Sequence, residues 1–133
     1  MGISHEKLFS IVLRGKVVHG RALGRTVGMP TANIQIQDTS ILPECGVYAT
    51  RIQIGDAVYT SVTNIGRRPT VDDESYITVE TFIIDFNEEI YGQFVELEVY
   101  KFLRPIQKFS SLEEVQKQVE KDIEEAKTYF LVY

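Results

Sequence analysis

A glycine-rich segment in the first quarter of the chain combines residue types that could hold phosphate. In GRALGRTVGMPTANIQI, residues 20–36, glycines recur every four residues, and an arginine directly follows two of them. Gly24 and Gly28 permit positive φ and would bring backbone N–H groups close to an anion, while Arg25 could add positive charge. The segment matches neither the P-loop pattern nor the dinucleotide pattern, so it would hold phosphate by another design. An ordinary hairpin loop is the alternative, and glycine spacing alone favours neither.

The residues that follow this loop could bind a metal. Pro30 fixes its own φ and biases Met29 toward an extended backbone, so the loop would enter the next strand in a defined direction. Thr31 and Asn33 are two residues apart on that strand and would project to the same face. Their hydroxyl and amide oxygens are hard ligands suited to Mg²⁺, which proteins usually hold through few side chains, phosphates and waters. The alternative is that both residues only satisfy backbone groups at the start of a strand.

A carboxylate in TVETFIIDF, residues 78–86, is a candidate general base. If this segment is a strand, Glu80 shares a face with Phe82, Ile84 and Phe86. A carboxylate among aromatic neighbours is costly unless it is paired or used in chemistry. The alternative is an edge strand from which Glu80 points to water. Because both faces of this segment are mixed, its periodicity does not decide between the two.

Composition and charge narrow the class of ligand. The chain has 133 residues, of which 44% are hydrophobic, enough for one globular domain with its own core. The formal net charge of −5 argues against a general nucleic-acid binder. No acidic residue lies between Glu6 and Asp38, whereas five basic residues do: Lys7, Arg14, Lys16, Arg21 and Arg25. This cationic first quarter suggests a small anionic ligand.

Other features set limits on location and metal chemistry. No apolar run reaches the roughly 20 residues that span a bilayer, and the N-terminus lacks the order of a signal peptide. We therefore expect a soluble, cytoplasmic protein with no membrane partner. Cys45 is the only cysteine, and His5 and His19 lie too far from it in sequence to suggest a zinc cluster. Cys45 is interpreted as a small core or loop residue.

The periodicity of the chain predicts mostly strands and one helix. A two-residue turn at Gly55 and Asp56 would join two strands into a hairpin. The predicted strands are residues 11–18, 32–37, 46–54, 57–63, 76–86 and 94–102. Six short strands that close on themselves, with a helix alongside, would make a small antiparallel barrel.

The closing helix is predicted by a change of period. Apolar residues recur at threes and fours, and Ser110 with Glu113 would form a capping box at the start. The apolar positions are Leu112, Val115, Val119, Ile123, Ala126 and Phe130.

Several segments, in this order, resemble the riboflavin kinase family. They are GKVVHGRALGRTVGMPTAN, GVYAT, TNIGRRPTV, VETFIIDF, YGQFVELEVYKFLRP and the closing acidic helix. The resemblance covers about residues 14 to 130, and PTAN with a downstream V-E-T is a specific combination. It implies a six-stranded Greek-key barrel with a C-terminal helix. It also implies transfer of the γ-phosphoryl of ATP to the ribityl 5′-hydroxyl of riboflavin, which gives FMN and ADP.

The resemblance also implies roles for individual residues. Thr31 and Asn33 would bind Mg²⁺ and nucleotide phosphate, and Glu80 would accept the hydroxyl proton. Arg104, in FLRP, would lie in a loop near the flavin. Five further residues would contribute to the nucleotide and phosphate side, the first three of them in a phosphate-covering flap: Gly24, Arg25, Gly28, Asn64 and Gly66.

The resemblance further sets what we expect of the chain as a whole. In bacteria this kinase domain is commonly the C-terminal half of a bifunctional enzyme of FMN and FAD synthesis, so the parent chain could carry an adenylyltransferase domain. No His-x-Gly-His-type nucleotidyl-transfer motif occurs in these residues, so we do not expect FMN adenylyltransferase activity from them. We expect residues 1–133 to form a single kinase domain, with residues 1–13 a linker remnant or N-terminal extension.

Two alternatives come from other classes of protein. A flavin-binding or nucleotide-binding module that has lost catalysis would be free to lose Thr31, Asn33 and Glu80, and all three are present. An RNA-binding barrel would interleave aromatic residues with the basic ones as stacking platforms. Between Arg14 and Asn33, His19 is the only aromatic residue, which argues against an RNA-binding barrel.

Overall fold

The fold is a closed six-stranded barrel with one long helix, seen in a computed structural model that describes residues 11–19, 31–69 and 75–132. Around the barrel the strands follow the order β1-β2-β5-β4-β3-β6, and neighbouring strands are antiparallel. This confirms the predicted fold class. The elements are β1 (Ile11–Val18), β2 (Ala32–Ile36), a 3₁₀ turn (Thr39–Ile41), β3 (Gly46–Ile54), β4 (Ala57–Pro69), β5 (Ser75–Ile83), β6 (Phe94–Arg104) and α1 (Leu112–Val132).

Alternation along the strands separates the core from the outer face. On β1, Leu13 and Val17 are buried, whereas Arg14 and Lys16 are exposed. This is the period-two pattern expected of strands with one face on a core. The buried cluster inside the barrel consists of Leu13, Val17, Ile34, Tyr48, Ile52, Ile65, Val79, Ile83, Ile90, Val95, Leu97 and Val99.

A chain of buried hydroxyls crosses the inside of the barrel. The Oγ1 of Thr50 lies 2.7 Å from the Oγ of Ser61 and 2.9 Å from the Oγ1 of Thr63. Thr63 in turn lies 2.9 Å from the Oγ1 of Thr81, and all four side chains are fully buried. A slip of one strand by one residue would turn its own hydroxyls to the outer face and leave their former partners unpaired in the core, which costs about 1–3 kcal/mol for each unpaired group. The chain therefore fixes the register of β3, β4 and β5.

Helix α1 covers part of the outer face of the barrel. Its Ala126 is fully buried against Val47 and Ala49 of β3 and Val62 of β4. Partly buried residues surround this contact: Leu103, Ile123 and Phe130. Within the described residues, no helix is long and apolar enough to span a bilayer.

The start of α1 lies one residue beyond the predicted capping box. The Ser111 hydroxyl accepts a hydrogen bond from the Glu114 N–H at 3.1 Å. The Glu114 carboxylate accepts from the N–H of Ser110 at 3.0 Å and from its hydroxyl at 2.9 Å. These bonds, the backbone one foremost, hold the pKa of Glu114 below its ordinary value. The prediction of Ser110 with Glu113 was wrong because SSLEE offers the same S-x-x-E spacing twice.

Several strand ends differ from the prediction, and the ends of β4 and β5 differ most. Strand β4 continues to Pro69, six residues past the predicted end at residue 63, because it stays paired with β5 as far as Ser75. Strand β5 ends at Ile83 rather than at residue 86. Asp85 adopts a φ of 57° in the turn that follows, a conformation that an extended strand does not contain. The longer β4 brings Asn64 and Gly66 into the sheet beside β5.

Candidate active site

Three polar residues lie side by side on three adjacent strands. Glu80 of the central strand β5 is the direct partner of Asn33 on β2 and of Asn64 on β4. Residues directly opposite each other in antiparallel strands point to the same face, with Cβ atoms about 4.5–5.5 Å apart. We call Asn33, Glu80 and Asn64 the polar row.

The polar row faces outward from the barrel. The neighbours of its members along the chain, Ile34, Val79 and Ile65, are at most 5% exposed and lie in the core. Since side chains alternate along a strand, the row residues point the other way. All three are partly buried rather than fully exposed. Strand β5 is paired on both sides, so the interpretation of it as an edge strand was wrong: Glu80 stands on the outer face of a strand between β2 and β4, with an amide side chain on each side. Ile84 and Phe86 lie beyond the end of β5, so the predicted aromatic face was also wrong beyond Phe82. The role of Glu80 as a base stays a prediction.

The row residues have no partners of their own. Within the described residues, the side chains of Asn33, Asn64 and Glu80 make no hydrogen bond or ion pair, and no polar side-chain atom is buried without a partner. Their polar atoms are therefore open to solvent. A carboxylate flanked by two amides in this state is free to bind a hydroxyl and to accept its proton.

Gly66 and Thr78 continue the same face toward the end of the barrel. They are direct partners on β4 and β5, two residues along from Asn64 and Glu80. A Cβ placed on Gly66 would lie 3.2 Å from the Thr78 Oγ1 and 3.6 Å from the Asn64 Oδ1. The predicted site residues Asn64 and Gly66 thus lie beside Glu80. Thr78, which the sequence analysis did not name, lies on the same face as Glu80 because it stands two residues before it on the strand.

Of the other predicted residues, Thr31 and Arg104 lie in the described part of the chain. Thr31 directly precedes β2 and is partly buried, so it lies at the strand end that carries Asn33. Gly24, Arg25 and Gly28, the predicted phosphate flap, lie outside the described residues.

Arg104 is held in a buried ion pair at the end of β6. Its Nε and Nη2 donate to the two carboxylate oxygens of Asp122 on α1, each at 2.9 Å. Asp122 is 1% exposed and also accepts from the Gln118 side chain at 3.1 Å. The Nη1 of Arg104 donates to the carbonyl of Pro105 at 3.2 Å and reaches the Oε1 of Gln107 at 3.4 Å. Arg104 therefore ties the segment after β6 to the helix, and its contact with flavin stays a prediction.

The donor set of this face fits one kind of metal site. No group of three or more His, Cys, Asp or Glu residues in the described part of the chain could hold a metal ion. What Thr31 and Asn33 offer is a hydroxyl and an amide oxygen. Such oxygens suit Mg²⁺ that arrives with a nucleotide, because its remaining ligands are then phosphate oxygens and water.

Comparison with known proteins identifies the family. Residues 8–130 match the riboflavin kinase (flavokinase) family. A bifunctional riboflavin kinase/FMN adenylyltransferase of Bacillus subtilis is 40% identical over 120 residues, which are 89% of this chain and 38% of that protein. RibR, an RNA-binding riboflavin kinase of the same organism, is 37% identical over 112 residues, 84% of this chain and 48% of that protein.

A solved structure supports the fold. The riboflavin kinase of Trypanosoma brucei superposes with a TM-score of 0.62 at 24% sequence identity, over 90% of this chain and 79% of that one. This chain spans well under half the length of the bifunctional relative and about half that of RibR. Since the family match extends over nearly all of its residues, the chain belongs to the riboflavin kinase family.

Proposed function

We propose that this chain is a riboflavin kinase, which transfers the γ-phosphoryl of ATP to the ribityl 5′-hydroxyl of riboflavin and releases FMN and ADP. One observation carries the proposal: Glu80 stands between Asn33 and Asn64 on the outer barrel face, with all three side chains open to solvent. Family membership supplies the identity of the two substrates.

Glu80 is the proposed base. As the ribityl oxygen bonds to the γ-phosphorus, the bond from that phosphorus to the bridging oxygen of ADP breaks. The hydroxyl proton passes to the Glu80 carboxylate, and ADP leaves. Phosphoryl transfer asks a protein mainly for positioning and charge stabilisation, so a single base with few neighbours is sufficient.

The amide neighbours position the reactants. Asn33 lies at the direct partner position of Glu80, so a ligand oxygen held by its amide would lie within reach of the carboxylate. Mg²⁺ bound to the nucleotide would be held by Thr31 and Asn33 and would offset the charge of the phosphate oxygens. Asn64 lies beside Glu80 on β4, on the side of Glu80 that faces away from Asn33.

The remaining roles follow from the resemblance to the family. Gly24, Arg25 and Gly28 would cover the nucleotide phosphates, which is consistent with the basic surplus of the first quarter of the sequence. Arg104 would contribute to the flavin side through the segment that it anchors after β6.

A direct assay tests the proposal. Incubation of the chain with riboflavin and Mg-ATP should give FMN and ADP in equal amounts, separated by chromatography, whereas samples without protein should give neither. FAD is not expected among the products. ATP hydrolysis without FMN, or binding of both ligands without any product, would favour a non-catalytic flavin-binding or nucleotide-binding module.

A further inference from the structure

A small notch beside Glu80 is lined by two neutral oxygens and a glycine. The space above the Cα of Gly66, where a Cβ would stand, lies between the Thr78 Oγ1 at 3.2 Å and the Asn64 Oδ1 at 3.6 Å. Gly66 and Thr78 are direct partners, and so are Asn64 and Glu80 at the next level of the same face. We call the space bounded by Asn64, Gly66 and Thr78 the Gly66 notch.

The backbone does not require glycine at this position. Gly66 lies inside the extended strand β4, whereas the described glycines with positive φ are Gly46, Gly55 and Gly92. Glycine inside a strand is destabilising by about 0.5–1 kcal/mol relative to alanine, and it often marks close approach of a ligand or another backbone. A side chain at this position would crowd the Thr78 hydroxyl, so what the glycine provides is close approach of another group to Thr78 and Asn64.

The oxygens of the notch are available to a ligand. Thr78 and Asn64 are partly buried, and within the described residues neither side chain has a hydrogen-bond partner. Neither oxygen is buried without a partner, so both contact solvent. Oriented oxygens that meet only water are suited to exchange that water for a ligand.

The chemistry of the notch favours a hydroxyl over a phosphate. A hydroxyl both donates and accepts, so it can pair with the Thr78 hydroxyl and the Asn64 amide together. A phosphate oxygen only accepts, so it could pair with the Thr78 hydroxyl but not with the Asn64 Oδ1, the atom of that amide nearest to the notch. Thr78 and Glu80 are two residues apart, about 7 Å along the strand. A chain with hydroxyls on consecutive carbons can place one at Glu80 and another in the notch.

We propose that the Gly66 notch is a subsite for the inner hydroxyls of the ribityl chain, with Thr78 as a residue that positions the acceptor and determines its specificity. This inference rests on the proposed kinase function for the identity of the sugar alcohol. It also moves Asn64 and Gly66 to the acceptor side of the site, whereas the resemblance to the family implies the nucleotide side for both. In the bound state, Thr78 and Asn64 hold one hydroxyl of the chain and thereby direct the terminal hydroxyl to Glu80.

Binding and kinetics of Thr78→Val test the subsite. Valine keeps the shape of threonine and removes the hydroxyl, so the Kd and KM for riboflavin should rise about five- to tenfold, in line with one lost hydrogen bond. The Kd for Mg-ADP and the KM for Mg-ATP should stay within about twofold. Thr78→Ser, which keeps a hydroxyl, should recover most of the riboflavin affinity. Thr60→Val, the same change on the neighbouring strand β4, should have no effect on either ligand.

Gly66→Ala provides a second test that does not depend on Thr78→Val folding well. The added methyl group fills the notch, so riboflavin affinity should fall while Mg-ADP affinity is kept. Unchanged riboflavin affinity in both variants, or a loss that falls on Mg-ADP instead, would overturn the subsite. These are binding measurements, so they stay decisive if the wild-type chain forms no FMN, a result that would contradict the proposed function alone.

Discussion

Two regions of the outer barrel face differ in whether their polar side chains have partners. Under α1, polar groups are paired: Arg104 binds both oxygens of Asp122, and Arg51 lies 4.4 Å from the centre of the Phe130 ring. On strands β2, β5 and β4, the side chains of Asn33, Glu80 and Asn64 lie together and make no hydrogen bond or ion pair with the part of the chain that the structure describes.

This difference in pairing predicts which substitutions affect the stability of the fold and which affect the reaction. A charged group that is nearly buried must be paired, so removing Asp122 should affect folding first. An unpaired, partly solvated group contributes little to folding, so removing it should affect the reaction first. Substitutions on the two sides of the barrel can therefore be compared by the same pair of measurements, the free energy of unfolding and the rate of FMN formation.

The largest effect is expected from Glu80→Gln. Glutamine keeps the size and polarity of the side chain and removes the base, so turnover should fall by roughly 10²- to 10⁴-fold. The free energy of unfolding and the binding of riboflavin should change little. Glu96→Gln on β6 is a matched control, since Glu96 is also an outward carboxylate, paired with Arg14 at the surface. A fall of only a few-fold would mean that Glu80 mainly orients the hydroxyl, and near-normal turnover would show that it is the wrong residue.

Asp122→Ala should have the next largest effect, on the other side of the comparison. It leaves the Arg104 guanidinium, whose side chain is 16% exposed, without its carboxylate. The free energy of unfolding should fall by about 3 kcal/mol, measured by urea titration. Glu124→Ala, at an exposed acidic position on the same helix, should change it by less than about 0.5 kcal/mol. Equal stability of the two variants would remove the structural role given to the ion pair.

Asn33→Ala should act on the nucleotide side of the reaction. Loss of the amide should lower turnover by about tenfold or more and raise the Mg²⁺ concentration needed for half-maximal rate, with the fold intact. Gln35→Ala, at an exposed position two residues along β2, should behave as the wild type. An unchanged magnesium titration for Asn33→Ala would exclude Asn33 from the metal site.

The smallest effect concerns the cap of α1 and its dependence on pH. The pKa of Glu114 is lowered in the folded state by its bonds to Ser110, so the ionised carboxylate stabilises the fold. This contribution is fully present above the ordinary value of 4.5 and is lost as the pH falls through the lower folded-state pKa. Glu114→Gln should therefore reduce stability slightly at pH 7 and weaken the pH dependence below 4.5, whereas Glu113→Gln should not. Identical acid profiles of the two variants would contradict the cap.

The sequence predicted the number, order and type of the elements. The bounds of β1 and β3 agree with the structure. Buried and exposed residues alternate along β1, whereas the first five residues of β3 are all buried, so alternation explains the bounds of β1 alone. The orientation of strand β5 was harder to predict, because both of its faces mix polar and apolar residues. Val79, Thr81 and Ile83 lie on one face, and Glu80 and Phe82 lie on the other. What decides its orientation is the hydroxyl chain through Thr81 and the packing of Val79, which depend on distant strands.

The site was predicted only in part, because some of its residues are close in sequence and others come together only through the pairing of distant strands. Thr31 and Asn33 are close in sequence, so local spacing was enough to group them. That Asn64 lies beside Glu80 depends on the extension of β4, and the sequence did not predict that extension. The sequence does not distinguish Asp122 from the other acidic residues of the helix, because its burial and its ion pair with Arg104 depend on the packing of α1 against the barrel.

The most direct test of the central claim is to follow the γ-phosphoryl group itself. ATP labelled at the γ-phosphorus, Mg²⁺ and riboflavin should give labelled FMN with the wild-type chain, and Glu80→Gln should give it roughly 10²- to 10⁴-fold more slowly with riboflavin binding preserved. Label that appears only as inorganic phosphate, or that stays in ATP while both ligands bind, would contradict the claim that the polar row transfers phosphate to riboflavin.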